Sequence, residues 1–181
     1  RDYTDSWGLP VKVYLQNGKF ERILVNIQYD KWGNDSVVKY VDTEGNLLKN
    51  SAGSWIIRNI CDKNGIVLEN YSLNQLGSPI NDYAGNCSWK AKYDEWGNVV
   101  RIDYFDAGGN PIRISYKQSF YDVSGIRYKY DRWHRMISQS FYYGERADAT
   151  SQGVHRIEYT YNNHGQTLSV KCKGKYNEPH L

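Results

Sequence analysis

One short turn motif recurs along this chain at a nearly fixed phase, and that recurrence constrains the fold more than any other feature. An acid or amide opens an Asp-x-x-Gly-like turn at Asp5, Asp30, Asp62, Asp94, Asp131 and Asn162, at intervals of 25, 32, 32, 37 and 31 residues. Three positions later stand Gly8, Gly33, Gly65, Gly97 and Gly165, with His134 as the exception. The first residue caps such a turn through its side chain, and glycine supplies the positive φ that other residues resist. A second turn follows twelve residues after the anchor, in Asn17-Gly18, Asp42 to Asn46, Asn74 to Gly77 and Asp106 to Asn110. Pro79, Pro111 and Pro179 each lie 17 residues after their anchors, and Gly53, Gly85 and Gly153 each lie 9 before the next. Agreement at several independent offsets marks a tandem repeat.

Between turns the side chains alternate with the period of two that strands require. Val25/Ile27/Tyr29, Ile57/Asn59/Cys61, Trp89/Ala91/Tyr93, Ile126/Tyr128/Tyr130 and Ile157/Tyr159/Tyr161 share one face of the strand before each anchor. The opposite face is mostly polar, so one side is buried and the other wet. After the turn the pattern returns in Val11/Val13/Leu15, Val38/Tyr40, Val100/Ile102/Tyr104, Ile137/Phe141 and Leu168/Val170/Cys172. In the third copy Leu68, Asn70 and Ser72 take the inward positions, which predicts a bulge or register change near Glu69. With 17 Tyr and 16 Gly in 181 residues, the composition suits half-buried strands joined by tight turns. The expected fold is all-β: residues 1–181 form a single elongated, twisted antiparallel array of about six tandem β-hairpin repeats of roughly 32 residues. A lone hairpin is marginal in water, so the copies must share a core. The phasing of the ends suggests a segment of a longer array.

Catalysis finds no foothold in these residues. His134, His155, His164 and His180 form no metal-ligand pair, and two of them occupy turn positions of the repeat. The acidic turns at Asp42 to Asn46 and Asp106 to Asn110 lack a calcium-loop ligand pattern. Neither a nucleophile elbow nor a phosphate-binding loop is present. The chain is therefore expected to be non-enzymatic, with no catalytic residue, metal or cofactor. Cys61, Cys87 and Cys172 cannot all pair with one another, and their spacing fits no zinc or redox motif. A formal charge of +3, from 23 basic and 20 acidic residues, makes nucleic acid an unlikely partner. No apolar run is long enough for a membrane helix, so membrane insertion is not expected.

Two features remain as candidate contacts. Trp7, Trp32, Trp96 and Trp133 each stand two residues after an anchor, and a row of indoles can grip a protein or stack on sugar faces. Packing of each ring against the neighbouring turn is the favoured reading, because repeat consensus residues usually build core. Arg58, Lys90, Lys92, Arg127 and Lys129 share one strand phase, and Lys12, Lys39, Arg101 and Lys171 share the corresponding one. Asp35, Glu69, Asp103 and Glu158 interrupt that phase, so a mixed-charge solvated face is expected in place of an anion-binding stripe.

The segments Tyr29-Asp30-Lys31-Trp32-Gly33-Asn34, Tyr93-Asp94-Glu95-Trp96-Gly97-Asn98 and Tyr130-Asp131-Arg132-Trp133-His134 resemble the motif of bacterial YD-repeat proteins, the group that includes the RHS-like arrays. The resemblance extends over nearly the whole chain. RHS-type repeats are usually shorter than these, which argues against a large closed shell enclosing a toxin. It implies a bacterial, secreted or surface-associated scaffold, with no family catalytic residues to carry over. The function expected is binding of a protein or glycan partner, or adhesion; the alternative is a structural spacer or shell segment of a larger toxin or surface protein, and after it an enzyme with an unrecognised cleft.

Overall fold

A computed structural model describes residues 12–14, 20–22, 24–115, 122–176 and 178–180. Among them there is no helix. The strands are β1 (Lys12–Tyr14), β2 (Phe20–Arg22), β3 (Leu24–Tyr29), β4 (Asp35–Val41), β5 (Leu47–Leu48), β6 (Ile56–Cys61), β7 (Val67–Leu73), β8 (Ser88–Tyr93) and β9 (Val99–Phe105). They continue with β10 (Ile114–Ser115), β11 (Asp122–Val123), β12 (Gly125–Tyr130), β13 (Met136–Tyr143), β14 (Arg146–Ala147), β15 (Arg156–Tyr161), β16 (Thr167–Lys173) and β17 (Pro179–His180). The chain divides into two compact units, residues 1–88 with 106–108, and residues 89–105 with 109–181.

In the first unit the strands run β7-β6-β4-β3, with β5 paired to β4, and β1 and β2 form a separate hairpin. In the second the order is β17-β16-β15-β13-β12-β9-β8, with β14 on β13, and β10 pairs with β11. Hairpins β3–β4, β6–β7, β12–β13 and β15–β16 are antiparallel and close on the anchor turns of Asp30, Asp62, Asp131 and Asn162. Consecutive hairpins then pair through β4–β6, β9–β12 and β13–β15. Each repeat thus lends one strand edge to the next. The anchor at Asp5 lies outside the described residues.

Every one of these hairpins carries the same bulge, set by the turn it closes on. The register slips between Gln28 and Tyr29, Ile60 and Cys61, Lys129 and Tyr130, and Thr160 and Tyr161, immediately before the anchor. The anchor N–H donates to the carbonyl four residues on, as in Asp30 to Asn34 (2.9 Å), and the glycine N–H donates back to the anchor carbonyl, as in Gly33 to Asp30 (3.1 Å). That is a type I turn followed by a left-handed glycine bulge. Gly33, Gly65, Gly97 and Gly165 have φ between 80° and 89°, and His134 adopts 61° in the same slot.

A bulge does fall beside Glu69 in the third copy, as expected, but it is the one that these hairpins share and not a feature of that copy alone. Ile56 to Ile60 pair without interruption with Leu73 to Glu69, and the slip over Leu68 is the one that every copy shares. The polar inward residues find each other instead: Asn70 Nδ2 donates to Asn59 Oδ1 at 2.8 Å, and Asn59 Nδ2 donates to the Asp35 carbonyl at 3.2 Å. A polar pair is tolerated inside once its hydrogen bonds are made.

A third turn of the same kind completes the repeat, where the sequence marked only a glycine. Asn50 to Ser54, Asp82 to Asn86 and Thr150 to Val154 close with the same main-chain bonds as the anchors, at 2.8 Å each from the first N–H to the last carbonyl. In the fourth copy, whose interval is 37 residues, Ile114 and Val123 pair where a five-residue turn would otherwise stand. The extra residues of that copy therefore enter at this one point. Proline at the seventeenth position pairs at the start of a very short return segment, as in Leu73 with Pro79 and Lys173 with Pro179, where its missing N–H is tolerated.

The core of the second unit is small: Val123, Ile126, Phe141 and Val154, flanked by Ile102, Tyr128, Ile157 and Cys172. With Phe141 wholly buried at its centre, Phe141→Ala should cost about 3–5 kcal/mol in a urea melt. The turns give a separate expectation. A Cβ built on Gly33 or Gly97 meets nothing within 4 Å, so Gly33→Val or Gly97→Val should destabilise by ~1–3 kcal/mol through backbone strain alone. Gly174 lacks positive φ, and the atoms nearest a Cβ there belong to the flexible side chain of Glu178, so Gly174→Ala should cost less.

Candidate functional site

The anchor turns present their tryptophans because of how the first carboxylate is satisfied. Asp30 Oδ1 accepts the N–H groups of Trp32 (2.8 Å) and Asn34 (3.0 Å). Asp94 does the same for Trp96 (3.0 Å) and Asn98 (2.8 Å), and Asp131 for Trp133 (2.9 Å) and Arg135 (3.0 Å). With its N–H drawn into the turn, the second residue after the anchor points its side chain outward. Trp32, Trp96 and Trp133 are accordingly 58%, 67% and 58% exposed. These exposures are not those of core rings, although Trp96 keeps an edge-to-face contact with His134 of the next turn. Trp7 lies outside the described residues.

What joins one anchor turn to the next is a set of polar side chains. Asn34 Nδ2 donates to the Asp62 carbonyl (3.0 Å), Asn98 Nδ2 meets His134 Nδ1 (3.1 Å), and Arg135 Nη1 donates to the Asn162 carbonyl (3.2 Å). At two anchors the tyrosine before the turn reaches back to the preceding copy: Tyr130 Oη donates to the Val99 carbonyl (2.9 Å) and Tyr161 Oη to the Met136 carbonyl (2.7 Å). Cys61 holds this place in the third copy, with its sulfur 4.0 Å from the Asp35 carbonyl. Tyrosine and aspartate thus divide the work, one tying copies together and the other closing its own turn. The sequence shows the phase of these tyrosines, but their hydroxyl partners lie one repeat away.

Around the indoles gather cations and rings. Lys31 Nζ lies 4.9 Å from the centre of the Trp32 ring, and the His134 ring meets Trp96 edge to face at 5.1 Å. Arg132 sits 3.9 Å over Trp133, and Arg135 lies 4.6 Å from Trp133 and 4.8 Å from Tyr161. These residues and Asn162, Asn163 and Gly165 line an open cleft of about 480 Å³.

The basic face is cross-linked by its own acids. Asp103, nearly buried, receives Arg101 at 2.5 Å and Arg127 at 2.7 Å, while Glu145 pairs with both arginines. Gly125 makes room for this cluster, since a Cβ there would lie 2.5 Å from the Asp103 carboxylate. Glu158 likewise takes Arg156 at 3.1 Å and Lys173 at 3.3 Å. In the second unit the face is mixed in charge, as the interspersed acids suggested. His155 points Nδ1 at the Asp148 carbonyl (2.6 Å), His164 occupies the turn slot taken elsewhere by tryptophan, and Cys61, Cys87 and Cys172 are free thiols. No helix among the described residues is long and apolar enough to cross a membrane.

No family of known sequences matches the chain, and no curated protein does. Solved structures do. The Photorhabdus luminescens Tc holotoxin pore matches at 11% identity over 94% of this chain and 9% of its own, with a TM-score of 0.46. The TcdB2–TccC3 crystal structure matches at 12% identity over 94% and 10%, with a TM-score of 0.45. The same pair without its hypervariable C-terminal region matches at 12% over 92% and 9%, with a TM-score of 0.44. This chain spans about a tenth of the chains that it matches. At 11–12% identity these matches carry neither a family nor an activity over to this chain.

Turn position also sets the titration of four turn carboxylates. The Asn34 N–H foremost holds the Asp30 carboxyl below its ordinary range, and the side-chain amides of Asn46 and Asn98 do so for Asp42 and Asp94. Burial pushes Asp82 the other way. A lowered carboxyl stabilises the fold above its unfolded value of about 3.9 and loses that contribution as pH falls through the folded value. A raised one contributes fully below the unfolded value and loses its contribution as pH rises through the folded value. Asp94→Asn should therefore lower Tm at pH 7 and converge on the wild type as pH falls through the lowered folded value, whereas Asp82→Asn should hold or raise Tm at pH 7 and lose that advantage below the unfolded value of about 3.9. Melts across pH 2 to 7 read both signs.

Proposed function

We propose that this chain is a non-enzymatic repeat module of a bacterial secreted or surface protein, binding a protein or glycan partner through its tryptophan-bearing anchor turns. The exposure of Trp32, Trp96 and Trp133 carries this reading. Each turn is closed by the anchor carboxylate and the main chain, so none of its closing bonds comes from an indole. Large apolar rings held in water at one repeated position suit a contact surface, where tryptophan is among the residues that contribute most. A structural spacer is the second reading, supported by the tyrosine and asparagine ties between copies.

The test is a triple variant, Trp32→Ala with Trp96→Ala and Trp133→Ala, compared with the wild type on immobilised neutral and acidic oligosaccharides and on a peptide array. Binding should vanish while each substitution changes stability by no more than about 0.5 kcal/mol. A loss of about 3 kcal/mol per ring would mean buried packing, and binding retained by the variant would leave the spacer.

A further inference from the structure

We propose that the cleft between the Asp131 and Asn162 anchor turns takes a carboxylated sugar residue of an acidic glycan; this rests on the binding reading above and names its ligand. The charge balance of the cleft leads there. Arg135 is spent within the fold: its Nε and Nη2 each lie 2.7 Å from the Asp131 carboxylate, and its Nη1 bonds the Asn162 carbonyl. Asp131 therefore cancels Arg135. Arg132, exposed and 3.9 Å over Trp133, supplies the remaining positive charge. An exposed guanidinium beside an indole can turn its N–H fork to a planar carboxylate and meet it with two parallel bonds.

One uncompensated cation matches a singly charged carboxylate better than a phosphate, which brings nearly twice the charge. The rest of the lining is of the kind that meets a sugar. Trp133, 58% exposed beside its two guanidiniums, offers apolar area to the C–H groups of a pyranose, and Asn163 carries an amide at the exposed rim for its hydroxyls. A volume of about 480 Å³ lies within the range of small-ligand sites. The neighbouring niche adds a condition. Anchor turns recur every two strands, about 9.5 Å apart along the sheet, and the preceding one presents Trp96 with His134 beside it and Glu95 in the place of Arg132. Glu95 repels a second carboxylate. A linear chain whose acidic residue has a neutral neighbour fits both steps.

The experiment uses the full chain and hexasaccharides containing glucuronate, galacturonate or mannuronate, each beside its carboxyl-reduced counterpart, with affinity read by calorimetry and by tryptophan fluorescence. At least one acidic hexasaccharide should bind about tenfold or more tightly than its reduced form, with affinity falling as salt rises. Arg132→Gln should abolish that preference and leave Tm unchanged, while Arg132→Lys should recover part of it. Equal binding of acidic and reduced forms, or a preference that survives Arg132→Gln, overturns the proposal. If other probes still bind through the tryptophans in that case, the binding reading stands without it. If the triple tryptophan variant holds the acidic probe as well as the wild type does, both fail.

Discussion

The whole arrangement hangs on one local interaction, a side-chain oxygen at the first turn position accepting two backbone N–H groups at once. At Asp30, Asp42, Asn50, Asp62, Asn74, Asp82, Asp94, Asp131 and Asn162 the same oxygen takes the N–H of the second and fourth residues on. This satisfies donors that a tight turn would otherwise orphan. It also fixes the slip in register before the turn, and with it the face that every strand residue presents. With so few fully buried apolar side chains, order in this chain comes largely from turns and ladders.

Much of this was legible because turns write themselves into the sequence locally. The Asp and Gly of each anchor lie three residues apart, and the alternating tyrosines announce their face through period two alone. The third turn was half visible: Gly53, Gly85 and Gly153 were in phase, but Asn50, Asp82 and Thr150 vary in type and so hid the common geometry. In the third copy Asn59 and Asn70 looked like a break in the pattern. They are a matched pair, and pairing across strands is a long-range fact that no window of sequence contains.

The tryptophans mark the other limit. Consensus at a repeat position is equally compatible with core and with surface, and only the direction of the second turn residue decides between them. That direction follows from which N–H the anchor carboxylate captures, a detail visible in three dimensions. The tyrosine hydroxyls were hidden for a similar reason, since Tyr130 and Tyr161 spend them on carbonyls 31 and 25 residues earlier. Cys61 shows that a weaker sulfur contact at this site is compatible with the same pairing.

The pairing of Ile114 with Val123 has a further consequence for how such arrays change over time. Arg113 clamps the pairing, its Nη1 donating to the Asp122 carbonyl at 2.7 Å and to the Ala149 carbonyl at 3.2 Å. Once the neck is held this way, the register of the rest of the sheet is indifferent to what lies between. Doubling a flexible loop adds only about 0.6 kcal/mol of closure entropy. A pairing held at its base in this way is a point where a longer connection would leave the ladders on either side unchanged.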